Sequence, residues 1–539
     1  MERNAQLMFK LSPMFIQGGV LFLSDYEGQF YNFNLSSEKL SARQLDFVFC
    51  CDSFFLYQET VSDGRICFFS NHKFSLSFSA SEDIENISVF FDDENVRVVL
   101  FFLDTSLCTE IQWCKDSGKT VKTDNVTATL SPCMIHYRSG LQIDLVKEYA
   151  CWGEGSANLM FDEILSVSEA GVILSSEAED DNETLFISSV DQYPVRLSLP
   201  FSGVLSASFN GNKNVFYLSG IDSGQQMIAE IDAITGQTLR IGDQKYGSAS
   251  LLRDGNDTLV YITGSREGIL IYNPISGSSQ VIVPGILNCP RVYYENEKIK
   301  VTSLITSHNP RLNVLFFHGG PESCEWDTPR QPGMINAFRK HEVNYHIINY
   351  AGSSGFGRHF RTLTDQNVLN GTLPAISEWI NVNLSGTELL LFGGSFGGTV
   401  LLELIARQAE LQANVEGCIL INPLLDMPYH ISRVISAGGE TEFFRKKFSQ
   451  SDTEQIVIKR YADTLKTFSG KILLILGRRD EVLTIWPALE LIRTLGEAEN
   501  LTLLIDDGGH SSLSHFPLRS DRIVDFMYQM LSSGRTLSY

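Results

Sequence analysis

An all-β half followed by a half of alternating strands and helices is the fold class the sequence predicts, and three observations predict it. Two neighbouring stretches before residue 288 repeat one another. The spacing of apolar residues changes character after that point. A serine then stands between two glycine pairs, directly behind an apolar run, in "LLLFGGSFGGTV" (389–400).

The repeat is clearest in "NVFYLSGIDSGQQMIAEIDAITGQTLRI" (214–241) and "TLVYITGSREGILIYNPISGSSQVIV" (258–283). Each reads as strand, turn, strand, a threonine- or serine-glycine turn, and a further strand. Tyr217 aligns with Tyr261, 44 residues on, and Gly236 with Gly277, 41 residues on. Short β-rich units at that period are the signature of propeller blades. Weaker echoes begin at Gly19, Gly64 and Val96. Residues 1–288 are therefore expected to form a β-propeller of six or seven blades. A β-sandwich is the competing architecture, because only the last two units repeat clearly.

Residues 289–539 alternate strand and helix, the pattern of a mostly parallel, doubly wound sheet. The strand candidates are 314–317, 343–350, 389–392, 417–422, 471–476 and 501–505. Helical apolar spacing marks "PAISEWINVNL", "TVLLELIARQ", "WPALELIRTL" and "DRIVDFMYQML". Sheets of this kind carry reacting groups on loops at the carboxyl ends of their strands, and an α/β-hydrolase domain is the expected form.

Ser395 falls on the turn between a buried strand and a helix. Gly393 and Gly397 give that turn room to be sharp, which holds the hydroxyl out at the positive end of the helix. A serine hydroxyl needs a base to take its proton and a carboxylate to orient that base. In chain order the candidates are Asp480, in "LLILGRRDEVLT", and His510, in "LTLLIDDGGHSS". Each follows a predicted parallel strand, so all three groups can converge at one sheet edge. Asp426 is the rival acid and His515 the rival base, while Asp506 and Asp507 read as solvated loop residues. For the oxyanion of a tetrahedral intermediate, "VLFFHGGPE" (314–322) offers the N–H of Gly320. The residue after the serine offers the N–H of Phe396.

Composition limits the partners. The 539 residues carry a formal charge of -22 with a pI near 4.9, which argues against nucleic acid or an anionic membrane. No apolar run reaches the roughly 18 residues of a membrane span, and the first residues do not read as an export signal. A cytoplasmic location is expected. The ten cysteines have no metal-ligand spacing and read as thiols of a reducing compartment. No metal or cofactor is expected, and self-association is left open.

These segments together resemble the prolyl oligopeptidase family of serine peptidases, particularly its acylaminoacyl-peptidase branch. The likeness rests on "HGGPE" (318–322), "NYAGSSGFGRHF" (349–360), "FGGSFGGT" (392–399), "LGRRDEV" (476–482) and "GGHSS" (508–512). It implies a propeller that caps the active site and a short oligopeptide or acyl substrate. Three positions depart from the family pattern. Phe356 stands where many members carry a tyrosine whose hydroxyl assists the oxyanion, which leaves an oxyanion hole built from backbone. Phe356 either lines the substrate pocket or packs beneath it. Val482 and Ala351 stand where the family carries arginines. The acidic run 177–183 reads as a clamp for a peptide amino terminus or as a solvated loop.

The expected activity is hydrolysis of oligopeptides through an acyl-enzyme. An ester hydrolase, or a transferase that hands the acyl group to an amine, uses the same residues. A non-catalytic binding module is the third reading, and the intact triad argues against it.

Overall fold

The computed structural model describes residues 257–328, 332–408, 414–510 and 517–533 without interruption. Before residue 257 it describes a series of segments, from 7–8 and 11–24 to 246–254. Among these residues the first part of the chain forms seven four-stranded antiparallel units, spanning 12–43, 47–80, 84–127, 134–160, 163–197, 203–241 and 248–283. The third and fourth are joined by a short parallel pairing, Ile135 with Val89 and His136 with Phe90. The architecture is a β-propeller, with seven such units among the described residues.

The repeat seen in sequence is a repeat in space. Tyr217 and Tyr261 both sit on the second strand of their blades, Val215–Asp222 and Asp257–Gly264. Gly236 and Gly277 have φ of 71° and 72°, left-handed values that a side chain resists. Ahead of each glycine an Asx turn forms. Asp232 accepts from the N–H groups of Ile234 and Thr235, and Asn273 from those of Ile275 and Ser276. Asn34 of the first blade does the same with Ser36 and Ser37. Blades bury their faces against one another: Leu174, Leu185 and Ile187 of the fifth pack on Phe209, Phe216 and Leu218 of the sixth. The ring closes by packing of the first blade (Ile16, Leu21, Leu23) on the seventh (Leu252, Ile269, Ile271).

The second part holds one eight-stranded sheet. In spatial order its strands are Arg291–Glu295, Ile299–Leu304, Val343–Tyr350, Leu312–Phe317, Leu389–Gly394, Val415–Ile421, Lys471–Gly477 and Leu501–Asp506. The last six run parallel, and the first two are antiparallel. One face is covered by helices Val368–Asn383, Phe396–Arg407, Ile458–Thr467 and Trp486–Leu495. The other is covered by Pro332–His341 and Pro517–Ser533. The sheet is an α/β-hydrolase sheet, doubly wound as expected. All six predicted strands are present within two residues of their expected ends.

Several elements escaped the sequence reading, among them two strands and the helices Pro332–His341, Met427–Ser436 and Ile458–Thr467. Arg291–Glu295 and Ile299–Leu304 were not predicted, because the first is an edge strand with mostly exposed side chains and so lacks an apolar signal. The helix expected from Pro374 begins at Val368, with Pro374 inside it. The carbonyl that proline leaves without an N–H belongs to Asn370, which is exposed to water.

The two parts meet through side chains. Ile221 of the sixth blade packs with Phe356, Phe360 and Trp326 of the second part. No helix among the described residues is long and apolar enough to cross a membrane.

Candidate active site

Four of the sheet's parallel strands end at one edge, and their following residues converge there. Ser395 follows Leu389–Gly394 and caps the helix Phe396–Arg407. Its backbone has φ 54° and ψ −126°, a conformation that costs a non-glycine residue on the order of 1–3 kcal/mol. The surroundings hold it there. Its N–H donates to the carbonyl of Ile421 at 2.9 Å, and its carbonyl accepts from Gly398 at 3.0 Å and Leu424 at 3.1 Å. The flanking glycines are steric necessities. A Cβ on Gly393 would lie 2.4 Å from the carbonyl oxygen of Gly397, and one on Gly397 would lie 2.1 Å from that of Phe317.

Asp480 stands three residues beyond Lys471–Gly477 and His510 four beyond Leu501–Asp506. His510 Nδ1 is 2.7 Å from Asp480 Oδ2, and His510 Nε2 is 3.2 Å from Ser395 Oγ. The other oxygen of Asp480 accepts from the N–H groups of Val482 and Leu483 at 2.9 and 2.7 Å. Asp480 is buried, and its carboxylate is fixed on both sides. Three groups 115 residues apart along the chain thus form one hydrogen-bonded line.

Asn422 was not picked out from the sequence. It follows Val415–Ile421, is buried, and has a left-handed φ of 41°. Its Oδ1 accepts from the N–H of Gly477 at 2.8 Å, and its Nδ2 donates to the carbonyls of Gly509 and His510 at 3.3 and 3.4 Å. It ties the strand ahead of Asp480 to the loop that carries His510. A polar residue ending the predicted strand 417–422, in "ILINP", was the available signal.

The rival residues are engaged elsewhere. Asp426 caps the helix Met427–Ser436 by accepting from Tyr429 N–H at 2.8 Å, and burial pushes its carboxyl above the usual range. Asp506 accepts from the buried Arg519 guanidinium and from the N–H of Gly508. Asp507 is exposed and paired with Arg478 at 2.8 Å. His515 lies outside the described residues, as do the side chains of the acidic run 177–183.

The "HGGP" loop lies against Ser395. A Cβ built on Gly319 would be 3.1 Å from Ser395 Cβ, so the loop backbone at 319–320 passes directly beside the serine. Gly320 follows with φ 117°. The His318 ring is stacked on Tyr350 at 4.3 Å and meets Ser353 Oγ at 2.7 Å, while Tyr350 donates to the His318 carbonyl at 2.7 Å. Phe396 is buried against Tyr350 and Phe448, and its backbone opens the helix behind Ser395. Phe356 is 9% exposed and packed among Ile221, Phe360 and Trp326, so most of its ring serves the contact with the propeller. Ala351 is buried, and Val482 is half exposed.

Residues 332–534 match the family model of the prolyl oligopeptidase family. No curated protein sequence matches the chain. Solved structures match over nearly its whole length. The acylaminoacyl peptidase of Pyrococcus horikoshii is 12% identical over 99% of this chain and 98% of its own, with a TM-score of 0.62. An acylaminoacyl peptidase in complex with Z-Gly-Gly-Phe-chloromethyl ketone gives 12% identity, coverage of 98% and 97%, and a TM-score of 0.60. A puromycin-hydrolyzing peptidase of Mycobacterium tuberculosis gives 12% identity, 97% and 86%, and 0.55. At this identity the structural likeness carries the fold, and the family match is a similarity of residues 332–534. Residues 332–534 are thus similar to the prolyl oligopeptidase family, on a chain whose fold, a propeller ahead of an α/β-hydrolase sheet, is that of these solved peptidases.

Proposed function

We propose that this chain is a serine hydrolase that cleaves peptide or acyl-peptide bonds in short oligopeptides through an acyl-enzyme. The domains are a propeller over residues 1–288 and a catalytic domain over 289–539. One observation carries the reading: Asp480, His510 and Ser395 form a continuous line of hydrogen bonds, at 2.7 and 3.2 Å, at the edge of the sheet.

In this mechanism Ser395 Oγ attacks the substrate carbonyl as His510 Nε2 takes its proton. Asp480, acceptor of the His510 Nδ1 proton, keeps the ring in the required tautomer and balances the charge it gains. The carbonyl oxygen becomes an oxyanion, met by the N–H groups of Gly320 and Phe396 at the helix N-terminus. His510 then returns its proton to the leaving amine. Water then enters where the amine has left, gives a proton to His510 Nε2 and attacks the acyl carbonyl, and Ser395 Oγ leaves with that proton as the acid is released. With Phe356 in place of a tyrosine, no hydroxyl from that position assists, and the hole is made of backbone alone. Phe356 borders the substrate space from the propeller contact. The propeller above the site limits substrates to short peptides. The described cysteines are free thiols, in keeping with work in a reducing compartment such as the cytoplasm.

The test is labelling with a fluorophosphonate, wild type against Ser395→Ala, followed by a peptide-library digest read by mass spectrometry. Labelling confined to the wild type, with peptide cleavage, is the expected result. Labelling with ester turnover but no peptide cleavage would favour an esterase or an acyl transferase that passes the acyl group to an amine. No labelling would leave a binding module.

A further inference from the structure

The loop that carries Gly320 continues to residue 328 and is pinned at both ends by a carboxylate. Near its start, Glu322 pairs with the buried ammonium of Lys447, which also holds Asp365 and donates to the carbonyl of Arg361 at 3.1 Å. In its middle, Glu325 and Asn349 exchange two hydrogen bonds, at 2.8 and 2.9 Å. All of these partners belong to the catalytic domain.

The far end is different. Asp327 is buried and receives the Arg291 guanidinium, with Nε at 2.9 Å from Oδ2 and Nη2 also in contact. The same guanidinium grips Glu267 of the seventh blade through Nη1 at 3.2 Å and Nη2 at 2.7 Å. Asp327 Oδ1 also accepts from the N–H of Ser265, again in the seventh blade, at 3.3 Å. Its backbone runs so close to the propeller that a Cβ on Gly247 would sit 2.3 Å from the Asp327 carbonyl. One carboxylate thus joins the sheet's edge strand, the last blade and the loop beside the nucleophile.

We propose that Asp327 is a positioning residue that makes the placement of the Gly320 N–H depend on how the propeller is seated. A buried guanidinium with two carboxylate partners has a steep geometric optimum, because each charge pays for its loss of water only when the fork is aligned. A shift of the seventh blade therefore moves Asp327 or leaves it without a partner. The loop between Asp327 and Gly320 transmits the change to the donor that meets the oxyanion. The inference rests on the hydrolase reading above.

The experiment compares the full chain with Asp327→Asn and with Phe209→Leu, a cavity in the propeller core away from the loop. Each is assayed for kcat and KM on p-nitrophenyl butyrate, for inhibition by an N-acetyl-dipeptide aldehyde and for melting temperature. A displaced oxyanion donor is expected to lower kcat of Asp327→Asn by about tenfold or more, with KM within about threefold. The aldehyde, which forms a hemiacetal oxyanion on the serine, should lose affinity by the same factor. Phe209→Leu should lose melting temperature and keep kcat within about twofold of wild type. If Asp327→Asn does not fold, Arg291→Lys keeps the charge, loses the fork and carries the same comparison. A kcat for the loop variant that tracks melting temperature as Phe209→Leu does, or unchanged aldehyde inhibition, would overturn the proposal. Wild-type protein that resists fluorophosphonate would instead sink the hydrolase reading, and this inference with it.

Discussion

The side-chain amide of Asn422 donates to the carbonyl of His510 at 3.4 Å while its oxygen holds the Gly477 N–H at 2.8 Å. The imidazole therefore sits on a loop whose height above the sheet is set by the strand that carries the acid. Asn422→Ala removes these contacts and the one to the Gly509 carbonyl, and leaves the side chains of Ser395, Asp480 and His510 unchanged. The expected outcome is a kcat lower by about 10- to 100-fold with KM little changed, since small displacements of a base are costly. Steady-state kinetics on an ester substrate checks it, and an unaltered kcat would mean that the loop is held by other contacts.

Asp480 and Asp426 divide the two roles open to a carboxylate in this region. Asp480→Asn keeps the shape but presents a donor to Nδ1 and selects the wrong tautomer, so kcat should fall by about 10⁴-fold. Asp426→Asn still caps its helix, because asparagine is as good a cap as aspartate. That variant should keep activity within about threefold, and a larger loss would reopen the assignment of the acid.

Much of this site was legible because the chemistry is local in sequence. The strand–turn–helix around Ser395 and the turns holding Asp480 and His510 each fit within a dozen residues, and Gly393, Gly397 and Gly477 are forced by close approach. The sheet's parallel strands were legible as well, because most are short, nearly continuous apolar runs such as the one in Lys471–Gly477. What escaped was non-local or chemically plain. Arg291–Glu295 is an exposed edge strand. Asn422 reads as the polar end of a strand until its partners 55 and 88 residues away are in place. Phe356 could not be placed from sequence, because its neighbour Ile221 belongs to a different domain.

The strained backbone of Ser395 gives a further test. Serine and alanine both resist φ 54° with ψ −126°, whereas glycine adopts it freely. Comparing two inactive proteins isolates the strain from the chemistry. Ser395→Gly should be more stable than Ser395→Ala by roughly 1 kcal/mol, the relief of strain exceeding glycine's greater entropy loss on folding. Urea unfolding followed in the catalytic domain checks this. Equal midpoints would mean that the elbow stores no strain.

A histidine away from the site should govern part of the acid response. His346 is enclosed, with Nδ1 2.8 Å from Ser303 Oγ, Nε2 3.0 Å from Asn313 Oδ1 and the Trp379 ring edge-on at 5.4 Å. Burial pushes its pKa down to about 3. An unfolded chain would take up the proton near the ordinary value of about 6.5. Between those values the unfolded state binds a proton that the folded state refuses. The contribution of His346 to stability is thus full above the upper value and declines as pH falls toward the lower one, by up to roughly 1.4 kcal/mol per pH unit. His346→Gln keeps a donor and an acceptor but cannot titrate. Between about pH 7.5 and about pH 5 the wild type should lose roughly 2 kcal/mol more than this variant in urea unfolding of the catalytic domain. Parallel pH profiles would show that the ring takes its proton without unfolding.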